Sequence, residues 1–192
     1  MITMQYFIPK NLELELKLPS YKVVTISPVD SAVRDYCLEN VKKFLKNNDG
    51  EIQFGWKLLI YGNIIVKLVG HAVAKVGEES LLCVSPPSYD DVGEIVFIPD
   101  NNVEEQIINN FLPAKYLPIV SNEFVYQFIE LENKLETIRK NGWAAVNPNE
   151  RIQIEYDKAM LYIPLLGLAQ AQTKEDDDCY CGSRKERAKC CK

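Results

Sequence analysis

Hydrophobic and polar positions change period several times along this chain. Tyr21 to Ile26 is β-branched and aromatic, which predicts a strand. Ser31 to Asn47 places Val33, Cys37, Val41, Phe44 and Leu45 on one side, which predicts a helix. Asp49-Gly50 then marks a turn. Glu51 to Tyr61, Asn63 to Val76, Leu81 to Ser85 and Glu94 to Ile98 read as four strands. Gly62-Asn63 and residues 77–80 are the turns joining the first three, and such short links predict an antiparallel meander. Beyond Pro99 the period becomes helical. Asp100 to Phe111 predicts a short helix and Ser121 to Lys140 a long amphipathic one. Pro148 to Tyr162 opens with Asn147 as N-cap and proline in the first turn, and Pro164 should interrupt or end it. The expected fold class is α+β: an N-terminal helix and an antiparallel β-meander, followed by C-terminal helices and a small tail.

Composition changes this picture little. The 192 residues, 47% of them hydrophobic, suit one globular body with a small appendage. A net charge of −5 argues against generic binding of the body to nucleic acid or anionic membranes. No phosphate-cradling glycine loop of the P-loop or dinucleotide type occurs, and the aromatic residues are scattered rather than set in a basic surface. Glu123, Glu130, Glu132 and Glu136, interleaved with Lys134, Arg139 and Lys140, read as a solvent-exposed helix face.

The last residues carry the strongest chemistry. Four of six cysteines, Cys179, Cys181, Cys190 and Cys191, lie within them. So short a segment cannot bury a core, so another agent must order it. Zinc prefers soft sulfur ligands in a closed tetrahedral shell. A C-x-C pair reaches one ion from a tight turn, which Gly182-Ser183 supplies, and the intervening residues can bring Cys190 back. Arg184, Lys185, Arg187, Lys189 and Lys192 favour the thiolate forms. A filled shell leaves no position from which to activate water. The alternatives are disulfides and free thiols. The N-terminus lacks a basic segment followed by an apolar one, and no apolar run has transmembrane length. A cytoplasmic, reducing setting is therefore expected, and with it metal.

Cys179, Cys181, Gly182, Ser183, Lys189, Cys190 and Cys191 resemble the SEC-C motif, the zinc-binding C-terminus of the SecA translocase. Arg184 stands where that family usually has a second glycine, and Cys191 takes a place more often filled by histidine. The resemblance implies zinc and a protein-docking surface, with a chaperone such as SecB as a candidate partner. It covers the tail alone. Ahead of it, residues 169–178 are polar and end in an acidic run, which predicts a flexible linker. The expected organisation is a body over 1–168, the linker, and a metal-binding motif over 179–192.

One constellation in the body offers catalysis. His71, the single histidine, shares a strand face with Lys67 and Lys75, which predicts a position toward solvent or a cleft. Cys37 lies upstream on a predicted helix. A cysteine on a helix, a histidine on a strand and a polar residue on the next strand is the order of papain-like and transglutaminase-like enzymes, which residues 31–99 weakly resemble. The resemblance implies Cys37 as nucleophile and His71 as base. Cys83 then stands where the family has aspartate, unless Asp90 or Asp91 folds back to replace it. Read as plain structure, Cys37 and Cys83 are core residues, and a helix starting near Ser31 sets Cys37 too deep for the helix dipole to activate it.

Overall fold

The computed structural model describes residues 4–9, 20–87, 93–142 and 147–191. They form seven strands and four α-helices in two compact units. Unit 1 comprises Met1–Lys17, Leu59–Leu68 and Ile108–Lys192; unit 2 comprises Leu18–Leu58 and Val69–Ile107. The strands are β1 (Tyr6–Phe7), β2 (Lys22–Ile26), β3 (Glu51–Tyr61), β4 (Ile65–Val76), β5 (Ser80–Cys83), β6 (Glu94–Pro99) and β7 (Ala114–Pro118). The helices are α1 (Cys37–Leu45), α2 (Glu123–Asn141), α3 (Pro148–Met160) and α4 (Tyr162–Gln172). Both helices and strands are present with a mixed sheet, so the α+β expectation holds.

In unit 2 the strand order is β3-β6-β2-β5-β4. This corrects the meander at its last step. β4 and β5 are antiparallel neighbours, but β6 pairs with β2 and β3 instead of β5. β2 enters between β5 and β6 and runs parallel to β5, with Thr25 opposite Leu82. The segment from β5 to β6 is much longer than the β3–β4 and β4–β5 links, so nothing forces those two strands to be neighbours. The helix expected from Ser31 starts at Cys37. Ser31 and Asp35 have left-handed φ values of 63° and 68°, which no right-handed helix accommodates. Asn40 holds that loop: its Oδ1 accepts from Val33 N at 3.0 Å, and its Nδ2 donates to Val33 O at 2.8 Å and Ser85 Oγ at 3.1 Å. The helix expected over Asp100 to Phe111 is a 3-10 segment, Asn101–Gln106, capped by the Asp100 side chain.

In unit 1, β1 joins the end of β3, with Tyr6 opposite Tyr61, and β7 lies beside β4. The β3–β4 hairpin closes through Gly62 and Asn63, both left-handed at φ 58° and 57°, with Ile64 N donating to Tyr61 O at 3.1 Å. Two left-handed residues in succession match the right-handed twist of the strands they join. α2 packs on β7, α3 and α4. Glu132 and Glu136 are buried rather than exposed as the charge pattern implied. Glu132 accepts from Tyr116 OH at 3.0 Å and pairs with Lys158 at 3.1 Å; Glu136 pairs with Arg139 at 2.7 Å. These partners offset the cost of burying each charge. Asn147 caps α3 through Asn149 N as expected. Pro164 does not end the helical stretch, because the break comes earlier, at Leu161, and leaves the proline in the first turn of α4.

Candidate metal centre

The tail is built into the core of unit 1. α4 runs through Gln172, so the stretch expected as a flexible linker begins inside a helix, with Ala169 fully buried. Cys179 and Tyr180 are fully buried as well, and they cluster with Met4, Ile64, Ile65, Leu165 and Ala169. Tyr180, in the middle of the C-x-C pair, accepts from Gln170 Nε2 at 3.1 Å and lies under the Arg187 guanidinium at 6.0 Å. Asn63 donates to Thr173 Oγ1 at 3.1 Å and to Asp178 O at 2.7 Å. Arg187 donates to Thr173 O. The acidic run is tied to the segment beyond it: Arg187 N donates to Asp177 O, Ala188 N to Glu175 O and Cys179 N to Lys185 O. The loose attachment expected from composition is therefore corrected. A polar segment can be ordered by backbone hydrogen bonds and one buried aromatic, which composition does not report.

The local turns aim the sulfurs. Gly182 has φ 87°, and a Cβ there would stand 2.9 Å from Gln5 O. Arg184, the departure from glycine, takes the left-handed conformation anyway at φ 58°. A 3-10 turn, Arg187–Lys189, returns the chain to Cys190.

The four Sγ atoms of Cys179, Cys181, Cys190 and Cys191 lie within 4.8 Å of one another. The Cys181–Cys190 separation is 3.5 Å and the Cys190–Cys191 separation 3.8 Å. Zinc–sulfur bonds of about 2.3 Å in a tetrahedron put sulfurs about 3.8 Å apart, whereas a disulfide needs about 2.0 Å. All six cysteines are free thiols. The residues thus fit a divalent ion of soft preference.

Their acidity fits the same role. Burial pushes the Cys179 thiol up, against backbone N–H donation from Cys181 and Cys191. Burial and hydrogen bonds from Cys179, Cys181 and Cys190 push Cys191 up to about 12. For Cys181 burial also acts upward, but Ser183 hydroxyl and backbone hydrogen bonds with those from Cys179 and Cys190 outweigh it and bring the thiol to about 7. Crowded sulfurs share protons instead of ionising together. A bound cation reverses this balance. Ser183 Oγ also stands 3.1 Å from Cys190 Sγ, a polar contact outside the ligand set.

Comparison with family models, with characterised proteins and with solved structures gives no match.

The second constellation lies in unit 2 and is differently arranged from its expectation. His71 is 7% exposed, so it does not face solvent. Both faces of β4 are buried around it, and the period-2 pattern could not reveal that. Its Nε2 stands 3.3 Å from Cys83 Sγ, so its partner is Cys83, not Cys37. Burial, with Lys57 as a smaller cause, lowers its pKa to about 3. The register does put Cys83 beside His71, and Cys37 is the first residue of α1, where a dipole would act. Burial nonetheless pushes both thiols up, outweighing the backbone hydrogen bonds and Lys57 that pull the other way. The group is a neutral, hydrogen-bonded part of the interior. Asp90 and Asp91 lie outside the described residues.

Sequence reasoning missed Asn63, Thr173 and Tyr180, which support the loop that carries the cysteine cluster. The one signal for Asn63 was its place in the Gly62-Asn63 turn; nothing in the spacing marked the other two.

Proposed function

We propose that this chain is a zinc-binding, protein-docking protein. Cys179, Cys181, Cys190 and Cys191 hold zinc, and the closed centre presents the tail to a protein partner. The observation that carries this reading is the convergence of four thiols at tetrahedral spacing within a SEC-C-like sequence. Zinc there supplies a fixed four-point crosslink. The chain's own residues do the rest: Gly182 and the 3-10 turn aim the sulfurs, and Tyr180 anchors the loop in the core. Exposed Lys185 projects from the ordered loop, while Lys189 beside it is paired with Glu186 at 2.6 Å.

A chaperone of the SecB type is the partner to try first. Calorimetric titration of the zinc-loaded chain with that chaperone should show saturable binding, and a Cys190→Ser/Cys191→Ser variant should show none. Absence of binding by the loaded chain would reject this partner; equal binding by both proteins would reject the zinc-ordered loop as the docking element.

The competing acyl-transfer reading, with Cys37 as nucleophile, draws on the position of Cys37 at the start of α1. It requires His71 to take the Cys37 proton, yet His71 is engaged with Cys83 and its burial opposes a charge. Slow alkylation of native Cys37 by iodoacetamide, unchanged by His71→Ala, is the expected result. Fast alkylation that slows in that variant would restore the enzyme.

A further inference from the structure

The four sulfurs of the tail are not equivalent toward an oxidant. Cys179 is fully buried in the core of unit 1. Cys181, Cys190 and Cys191 are only partly buried and keep a path to water. Ser183, an exposed residue, stands with its Oγ 3.1 Å from Cys190 Sγ, so this side of the cluster borders solvent. Thiolates are the nucleophiles that peroxides oxidise, and among thiolates oxidation follows access.

Spacing selects one pair among the three accessible sulfurs. Cys190 is the common neighbour of the other two, 3.5 Å from Cys181 Sγ and 3.8 Å from Cys191 Sγ. A disulfide needs about 2.0 Å between sulfurs and about 4.4–6.8 Å between Cα atoms. Cys190 and Cys191 adjoin in the chain, and the trans peptide between them holds their Cα atoms about 3.8 Å apart, below that range. Cys181 and Cys190 are separated by a loop and carry no such restraint. A small rotation of either side chain brings their sulfurs into bonding distance.

We propose that Cys181 and Cys190 are an oxidation site at which hydrogen peroxide forms a disulfide and thereby expels the metal. The metal-release half of this inference rests on the zinc reading above. One thiolate attacks a peroxide oxygen, the O–O bond breaks, and hydroxide leaves a sulfenic acid on that sulfur. The second thiolate attacks the same sulfur, the S–S bond forms, the S–O bond breaks, and a second hydroxide leaves. The two sulfurs give up two electrons, which reduce one peroxide to two hydroxides, and two solvent protons turn these into water.

Cys179 and Cys191 are then the only ligands left, and two sulfurs do not close a tetrahedral shell, so the ion leaves. Cys179, enclosed by the core, takes no part in the oxidation. The loop loses the four-point crosslink around the ion and keeps a single covalent link between its ends. A reducing thiol reverses the step by exchange at the disulfide. The docking element becomes conditional on the redox state of this one pair.

Treatment of the full, zinc-loaded chain with hydrogen peroxide tests this, with a colorimetric zinc indicator present and the disulfides mapped afterwards by mass spectrometry. Trypsin cleaves after Arg184, Lys185, Arg187 and Lys189, all between the paired cysteines. The bond should therefore appear as peptide 175–184 joined to peptide 190–192, and fragmentation assigns its sulfurs. The expected result is one zinc released per chain, one Cys181–Cys190 disulfide, and zinc binding restored by dithiothreitol and added zinc. Buried Cys37 and Cys83 should stay reduced. Zinc retained under peroxide that oxidises free cysteine, or a disulfide at any other pair, would overturn the proposal. A chain that neither holds nor takes up zinc would reject the metal reading by itself. The Cys181–Cys190 disulfide is still expected in that chain from the sulfur spacing, and its absence there would overturn the oxidation site as well.

Discussion

The side-chain nitrogen of Asn63, in the turn between β3 and β4, donates to the backbone oxygen of Asp178 at 2.7 Å. The acceptor directly precedes Cys179, the first of the four clustered cysteines. The hairpin thus positions the loop that carries the sulfurs. Asn63→Gly keeps the left-handed turn but deletes this bond and the one to Thr173. The expected loss is about 1–3 kcal/mol of stability for two partly buried hydrogen bonds. Zinc should also leave the variant faster when a chelator is added. Urea denaturation and a colorimetric zinc-release assay measure both. Unchanged release would mean that the hairpin does not support the centre.

Tyr180 sits between Cys179 and Cys181 and is 1% exposed. Tyr180→Ala should cost ~3–5 kcal/mol, the range for truncating a large buried aromatic. Removal of the metal should act on the same core, because Cys179 belongs to it. Chelation is therefore expected to lower the melting temperature of the chain and speed hydrogen exchange in α4. A melting curve indifferent to chelation would show that the loop is a passive appendage.

Much of this was legible in the sequence, and the reasons differ by element. β3 and α3 announced themselves, because an uninterrupted β-rich run and an Asn-Pro cap are local signals. The four cysteines were legible because metal geometry needs only residue type and spacing. The start of α1 was not, since left-handed Ser31 and Asp35 are held by Asn40, a contact several residues away. β2 entering beside β5 was equally hidden, as parallel pairing has no local signature. The acidic run before Cys179 looked like a tether because its order comes from backbone hydrogen bonds, to which composition is blind.

Arg184 takes φ 58° at a position where the SEC-C motif, which the tail resembles, usually has glycine. A non-glycine residue pays roughly 1–2 kcal/mol for the left-handed region. Its Nε is also buried without a hydrogen-bond partner. Arg184→Gly should relieve both, raising stability by about 1 kcal/mol with zinc retained. Lower stability, measured by denaturation of the zinc-loaded protein, would show that the arginine makes a compensating contact.

His71 predicts a pH dependence of defined sign. In the unfolded chain imidazole takes its proton near 6.5, in the fold only near 3, because burial opposes the charge. Between these values the unfolded state binds the proton and the folded state does not. Stability from this group is complete above the unfolded value and falls as pH drops below it, by up to ~1.4 kcal/mol per pH unit. The stability gap between wild type and His71→Gln should narrow accordingly on acidification. A gap independent of pH would place His71 in contact with water.

The most direct measurement of the central claim is zinc-edge X-ray absorption on the purified full chain, with metal content determined on the same sample. One zinc per chain should be found, with four sulfur neighbours at about 2.3 Å and no nitrogen or oxygen shell. The Cys190→Ser/Cys191→Ser variant should lose that spectrum. A metal-free wild type, or a zinc with oxygen or nitrogen ligands, would contradict the four-cysteine centre on which the proposed function rests.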